Sequence, residues 1–322
     1  MDNLNSEVSG TVLVLGATGF VGSRLIPELR AKGVKVRMLV RNPDKLSLQV
    51  KSDDGLSAVK GDLLTGEGLS EALLGVHTAY YLVHSMGGRS ILQNKEYADK
   101  DRNAAELFIR AADAAGLKRI IYLGALGEKG EELSEHLRSR AEIADILSSG
   151  QAAATVLRAA IIIGAGGASF EMLRYLVERL PVMVCPKWIE TKIQPIALSD
   201  VLAYLVGCLF HQETAGRAFD IGGPDILTYR EMMQQYAEAR GLARRLIFTV
   251  PVLTPLLSAY WVDLVTPISS GIAHPLIEGM KNEVICKDNS IETLIPVNKT
   301  PFREAVRIAL SQEKNGPGVT GF

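Results

Sequence analysis

Three cysteines in 322 residues leave little room for sulfur chemistry. Cys185, Cys208 and Cys286 are far apart and odd in number. That argues against a disulfide framework or a cysteine metal cluster, and it fits a reducing, cytoplasmic setting. An excess of charge is missing too. The 35 Lys+Arg against 36 Asp+Glu leave a net −1, no basic run stands out, and a nucleic-acid partner is not expected. Residues 1–7 are polar and lack the layout of a signal peptide. There is no internal repeat and no low-complexity tract, although the tail around Asn315-Gly316-Pro317-Gly318 is expected to be loose. Nor is there a clean apolar run of the ~20 residues a spanning helix needs. The most apolar stretch, 250–277, is broken by Pro251, Pro255, Pro267 and Pro275, loosened by Gly271 and interrupted by Asp263. It reads as short amphipathic helices lining an apolar pocket, supplied by Leu253, Leu256, Tyr260, Trp261, Leu264 and Ile268. Peripheral membrane contact is the lesser reading of the same stretch.

What is present is a large apolar fraction, 47% of residues, arranged in a regular rhythm. The length suits two domains or one domain with a large extension. Nearly continuous apolar runs predict strands over 12–15, 34–40, 58–60, 79–83, 119–123 and 155–163, as expected for strands buried on both faces. Helical spacing lies between them, over 22–31, 69–74, 97–115 and 131–147. Repeated βαβ units with right-handed crossovers give an α/β, Rossmann-like, doubly wound parallel sheet. After Gly164 the rhythm changes. Helices are predicted over 170–180 and 199–210, with a loop over 181–191 between them. A strand over 217–221 and a helix over 228–240 follow, the latter with Thr228 and Glu231 spaced as a capping box. We therefore expect a dinucleotide-binding domain over 9–165, completed by about 193–222. The remainder, 166–192 and 223–322, forms a smaller C-terminal, substrate-facing lobe.

The most informative motif is Gly16-Ala17-Thr18-Gly19-Phe20-Val21-Gly22, placed between the first strand and the first helix. Glycine there tolerates positive φ and close backbone approach. A helix N-terminus aimed into such a turn suits a phosphate. The plainer reading, a tight turn without a ligand, is disfavoured by the strand–turn–helix context. In such sheets ligands sit at the carboxyl ends of strands, so the residues just after each strand matter. After the second strand stands Arg41, where an NAD-preferring protein usually has an acid. Arg41 would pair with a 2′-phosphate and favours NADP(H), while nearby Asp44 keeps NAD possible. Arg37 is a second candidate if its side chain turns inward. After the third strand, Asp62 and Leu63 are placed to meet the adenine. After the fourth, Leu82, Val83 and His84, followed by Ser85, run beside the nicotinamide ribose.

These residues resemble the extended or atypical short-chain dehydrogenase/reductase family. The resemblance rests on Gly16-x-x-Gly19-x-x-Gly22, Gly61-Asp62-Leu63, Leu157-Arg158 with Ile163-Gly164, and Pro195-Ile196-x-x-x-Asp200-Val201. Leu82-Val83-His84-Ser85-Met86-Gly87, Ser134 to Arg140 and Gly164-Ala165-Gly166 point further, to a bacterial NAD(P)-binding subgroup, nucleoside-diphosphate-sugar epimerase-like and NmrA-like. The resemblance implies cofactor binding by Gly16, Thr18, Gly19, Phe20, Val21 and Gly22. It also implies a Tyr-x-x-x-Lys pair on the helix after the fifth strand and a Ser at that strand's end. Here the strand ends Leu123-Gly124-Ala125, and His136 and Arg140 stand where the pair belongs. Imidazole titrates near pH ~6.5 and can exchange a proton at neutral pH. His136 and Arg140 are thus the candidate catalytic pair. The plainer reading is a solvated helix face with Glu132 at the same spacing.

Three functions compete. One is an NADP(H)-dependent oxidoreductase acting on an apolar or carbonyl small molecule. The second is a non-catalytic NADP(H) sensor or assembly protein, and the third, weakened by the missing Tyr-x-x-x-Lys pair, a sugar-nucleotide epimerase. The sequence does not specify an oligomer.

Overall fold

The computed structural model describes residues 10–46, 54–84, 94–127, 134–250 and 255–314. The polar start at 1–7 and the tail at 315–318 lie outside the described residues. The chain enters at β1 (Thr11–Leu15), turns into α1 (Gly22–Ala31) and returns as β2 (Lys35–Val40). β3 (Leu56–Lys60), α2 (Leu69–Leu73), β4 (Val76–Tyr81), α3 (Asn94–Ala114), β5 (Arg119–Ala125), α4 (Glu135–Ser148) and β6 (Ala153–Ala159) continue the alternation. With a later strand, named β8 below, they build a seven-stranded sheet. Its order across the sheet is β8-β6-β5-β4-β1-β2-β3, and every pairing is parallel. The direction of winding reverses between β1 and β4, and the carboxyl ends of those two strands frame the crevice where such sheets take ligands.

Strand alternation assigns the two faces. Val12, Val14 and Tyr80 point to one side and pack with Leu25 and Leu29 of α1. Leu13, Leu15, Ala79 and Tyr81 point to the other and pack with Ala104 and Phe108 of α3. Each such buried Leu or Phe contributes about 1.5–3 kcal/mol. The expected single strand over 155–163 is two pieces, because the chain leaves the sheet after Ala159 and pairs again only at Ile162–Ile163.

Beyond that point α5 (Ala168–Arg179), β7 (Val182–Pro186), α6 (Leu198–Phe210), β8 (Ala218–Ile221), α7 (Tyr229–Ala239) and β9 (Leu246–Val250) follow. α8 (Pro255–Val265), α9 (Ser270–Gly279) and α10 (Phe302–Lys314) come next. α6 joins the α1 face, while α5, α7, α8, α9 and α10 gather round a third apolar cluster, the small lobe. Residues 181–191, expected as a loop, instead hold β7 and a single turn, Lys187–Glu190. β7 pairs in parallel with β9, so Val182 lies opposite Leu246 and Val184 opposite Phe248. The capping box at α7 forms as expected: Glu231 N donates to Thr228 Oγ1 at 3.1 Å, and Thr228 N donates to Glu231 Oε2 at 2.7 Å.

Two carboxylates, Asp200 buried and Asp225 half-buried, fasten the last stretch of chain. Asp200, at the start of α6, accepts from Thr300 N at 2.7 Å and from Thr300 Oγ1 at 2.8 Å. Asp225 accepts from Phe302 N at 2.7 Å, at the start of α10. No helix among the described residues is long and apolar enough to cross a membrane.

Candidate functional site

The glycines of the first turn are required by space as well as by conformation. Gly16 has φ +80°, and a Cβ there would meet the Leu82 carbonyl oxygen at 2.7 Å. A Cβ on Gly22 would stand 2.2 Å from the Gly16 oxygen. The turn is therefore closed on itself and pressed against the chain leaving β4. Leu82 N in turn donates to Leu15 O at 3.1 Å. At the start of α1, Val21 offers no side-chain cap and no acid stands in the first turn. A helix end with positive partial charge and no resident carboxylate suits an anion. Thr18 is exposed at this turn. The Phe20 ring points elsewhere, lying against Gly164 and Gly167 with the Arg24 guanidinium 5.0 Å from its centroid. Arg24 also donates to Phe20 O at 2.8 Å and to Ala165 O at 2.6 Å. Only the backbone of Phe20 remains for a ligand in the turn.

Leu15 pairs with Leu39, which places Arg41 on the same carboxyl edge as the turn, with its side chain exposed. Asn42 Oδ1 accepts from Asp44 N at 3.1 Å and folds the next residues back. Arg37 is committed elsewhere: it donates to the carbonyls of Ala72 and Leu74 at 3.0 and 2.6 Å, closing the C-terminus of α2. Asp62 uses Oδ1 to accept from Leu64 N at 2.9 Å, and Leu63 is buried in the core beside Leu13 and Leu15. Leu82 and Val83 are half-buried against opposite faces of the sheet.

Past Leu82 the structure assembles a polar cluster between α3 and α4. His84 Nδ1 stands 3.3 Å from Oδ2 of Asp101, a buried α3 residue. A carboxylate only accepts, so Nδ1 carries the hydrogen and Nε2 is the acceptor nitrogen. Burial, reinforced by the Arg140 charge, holds the His84 imidazole well below its usual range, and it is neutral at pH 7. Tyr122, in β5, donates from its hydroxyl to Arg140 O at 3.3 Å. Its ring lies over Gly124, where a Cβ would come within 2.9 Å of it. A side chain at position 124 would press on that ring. Burial pushes the Tyr122 and Tyr81 hydroxyls up, against the lowering pull of Arg140. Arg140 Nε is buried without a hydrogen-bond partner among the described residues.

The turn, Arg41 and His84 follow the carboxyl ends of β1, β2 and β4, and Arg140 lies in α4 with its carbonyl on the Tyr122 hydroxyl. The side chain of His136 lies outside the described residues, although its backbone is in α4, one turn before Arg140. Ser85, Met86, Gly87 and Gly88 lie outside them as well, as do Leu253 and the side chains of Tyr260 and Trp261. Tyr122 and Asp101 were not foreseen. The alternation of β5 offered a signal for Tyr122, since it shares a strand face with Gly124, but Asp101 reads as one more acid on a charged helix.

Among the described residues, three of those expected to line an apolar pocket lie elsewhere. Leu264 is 83% and Leu256 44% exposed, and Ile268 is core. A cavity of about 380 Å³ lies between α5, β7, α7, α8 and α9, and among the described residues takes Ser258 and Val262 from α8.

Comparison with known proteins agrees with this geometry. Residues 16–162 match the family described as NAD(P)H-binding. The chain is 26% identical over 235 residues to the mitochondrial NADH dehydrogenase [ubiquinone] 1 alpha subcomplex subunit 9 of Arabidopsis thaliana, covering 71% of this chain and 58% of that protein. It thus spans less than two thirds of that relative's length. It is 29% identical over 249 residues to a ceramide reductase of Caulobacter vibrioides, covering 75% of this chain and 74% of the reductase. Among solved structures, a nucleoside-diphosphate-sugar epimerase from Staphylococcus aureus superposes with a TM-score of 0.74 at 17% identity, over 92% of this chain and 99% of that one. Residues 16–162 are thus similar to the NAD(P)H-binding family, in a Rossmann-like fold shared with that solved structure.

Proposed function

We propose that this protein is an NADP(H)-dependent oxidoreductase acting on an apolar carbonyl compound. The observation that carries the reading is the polar cluster of His84, Asp101, Tyr122 and Arg140, two residues beyond the point where Leu82 meets the glycine turn. The uncapped, acid-free start of α1 fits a pyrophosphate, and exposed Arg41 fits a 2′-phosphate. A nicotinamide cofactor, when bound, supplies the hydride. The chain's own groups supply the rest. His136 exchanges the proton at the substrate oxygen, as imidazole does near neutral pH. Arg140, always charged, stabilises negative charge on that oxygen and holds ribose hydroxyls. The neutral His84, fixed by Asp101, positions the ribose side through Nε2.

The test is a titration of the protein with NADPH and NADH. NADPH binds more tightly, and Arg41→Ala removes that advantage while leaving NADH where it was. Equal affinity for the two cofactors in the unaltered protein sinks the Arg41 assignment. Loss of carbonyl reduction in His136→Ala, with NADPH binding kept, supports the proton role.

A second reading is a cofactor-holding subunit without turnover. The likeness to the complex I subunit over 71% of this chain favours it, with Gly124 standing where the family's serine belongs. NADPH bound stoichiometrically with no reduction across a panel of apolar ketones, aldehydes and quinones would select it.

A further inference from the structure

The outer face of the β7–β9 pair is apolar and open to solvent. Met183 and Cys185 are buried against the small lobe, so the alternate residues of β7 point outward. Those are Val182 and Val184, each 51% exposed. The register sets Leu246 beside Val182 and Phe248 beside Val184, and these are 57% and 58% exposed. Single exposed apolar side chains are ordinary, but four adjoining ones on two paired strands mark a surface that something covers. Val184 also lines the small-lobe cavity, none of whose lining residues is charged, so the face and the cavity share a wall.

The free charges beside this face are of one sign. Arg244, two residues before Leu246, and Lys187, directly after β7, are exposed at opposite ends of the strand pair. Neither makes a hydrogen bond or ion pair among the described residues. Arg244 and Arg230 line one hollow with Leu246 and Phe248. The nearby carboxylates are already taken: Glu190 by Arg230, Glu178 by Arg240 at 3.0 Å, and Glu231 by the cap of α7. The face therefore presents apolar surface with two uncompensated cations.

These features sort the possible occupants. A second copy would set the face on itself and bring Arg244 and Lys187 against the same cations. An added peptide strand needs an open backbone edge, and the outer edge of β9 is closed. Gln234 exchanges hydrogen bonds with the backbone of Arg245 at 2.7 and 3.1 Å, and Arg230 donates to Ile247 O at 2.8 Å. A bilayer that carries anionic lipid asks only for projecting apolar side chains with cations beside them.

We infer that the outer face of β7 and β9 docks this protein on an anionic lipid bilayer. Val182, Val184, Leu246 and Phe248 enter the headgroup boundary, and Arg244 and Lys187 meet lipid phosphates. This goes beyond the reductase reading and does not depend on it, because docking needs neither cofactor nor turnover.

The test is co-sedimentation of the full chain with phosphatidylcholine vesicles, with and without phosphatidylglycerol. The chain is expected to bind the anionic vesicles more tightly, and to lose that binding as salt rises. Phe248→Ser and Leu246→Ser each weaken it about 10-fold or more, the loss of one apolar side chain from the interface. Arg244→Gln and Lys187→Gln each weaken it about 5-fold, the share of one cation near an anionic surface. All four residues are exposed, so the variants keep the circular dichroism and urea midpoint of the unaltered chain, which separates lost docking from lost folding. The inference is overturned if anionic vesicles hold the chain no better than phosphatidylcholine alone. It is equally overturned if Phe248→Ser and Leu246→Ser bind as the unaltered chain does. A dimer in sedimentation velocity that Phe248→Ser dissolves overturns it in favour of a second copy. An acidic amphipathic peptide held more tightly than the vesicles overturns it in favour of a protein partner. NADPH titration of the same samples tests the cofactor reading separately: vesicle binding absent from a chain that still takes NADPH removes the docking face and spares the reductase reading.

Discussion

Two arginines stand at opposite ends of the same parallel sheet and are treated in opposite ways. Arg119 begins β5 at the amino edge and is 2% exposed. Its terminal nitrogens donate to Thr214 Oγ1, to His211 O at 3.1 Å, and to Gln212 and Thr155 at 3.3 and 3.4 Å. Arg140 stands near the carboxyl end of β5, and its Nε, like that of Arg119, has no partner among the described residues. The first arginine is surrounded by neutral oxygens that the fold itself supplies. The second bears on two phenols and an imidazole, and its charge shifts the titration of all three. The difference separates architecture from chemistry: the end groups of Arg119 tie β5 to the turn at 211–214, and the charge of Arg140 acts on three titratable side chains.

Breaking the Arg119 contacts has the largest expected effect on stability. Arg119→Ala leaves the Thr155 and Thr214 hydroxyls short of a partner and opens space. It lowers unfolding free energy by about 3 kcal/mol or more in urea melts, while the folded fraction still binds NADPH. Gly16→Ala forces a side chain to φ +80° and against the Leu82 carbonyl. NADPH binding is expected to disappear, with a stability loss of about 1–3 kcal/mol.

Arg140→Gln reverses the Arg119 pattern. Carbonyl reduction falls about 100-fold or more, the loss usual when a charge-stabilising group is removed, and urea stability moves by less than about 1 kcal/mol. The same substitution raises the pKa of His84, since the Arg140 charge helps to hold it down. An NMR titration of the imidazole reads that shift, and an unmoved His84 would refute the coupling. His84 also gives the fold a pH slope. Its folded pKa lies well below the unfolded value of ~6.5. On acidification through that value the unfolded chain takes up a proton that folded His84 refuses. Stability is fully present above this window and falls within it, and His84→Gln flattens the slope. The smallest effect belongs to a feature remote from both arginines: Thr228→Ala removes a capping box and costs about 1 kcal/mol.

Much of this was legible before the fold. The glycine turn, the alternation of strands and helices and the carboxyl-edge position of Arg41 follow from apolar runs and punctuating glycines, which are local signals. His84 and Arg140 were legible as positions, because each follows a recognisable element. Their company was not. The His84–Asp101 contact joins a strand end to the middle of a helix, and nothing in the spacing of Asp101 distinguishes it from its charged neighbours. β7 was hidden because Pro181 and Pro186 bracket it and its partner β9 comes over 60 residues later. The lining of the cavity was not legible for a related reason: its walls come from five segments, and the most apolar one, α8, turns Leu264 outward.

The carboxylate of Asp200 has a consequence in time rather than space. It is bonded to Thr300, one hundred positions later, and Asp225 is bonded to Phe302. A ribosome making this chain releases the sheet strands long before it releases those partners. Until residue 302 emerges, two carboxylates are short of their donors, Asp200 buried among them, and α10 is absent from the small lobe. Contacts so distant in sequence make folding slow and late. The unfinished chain therefore holds a formed glycine turn on a lobe that has yet to close. A synthesis arrested before residue 300 is expected to yield protease-sensitive fragments.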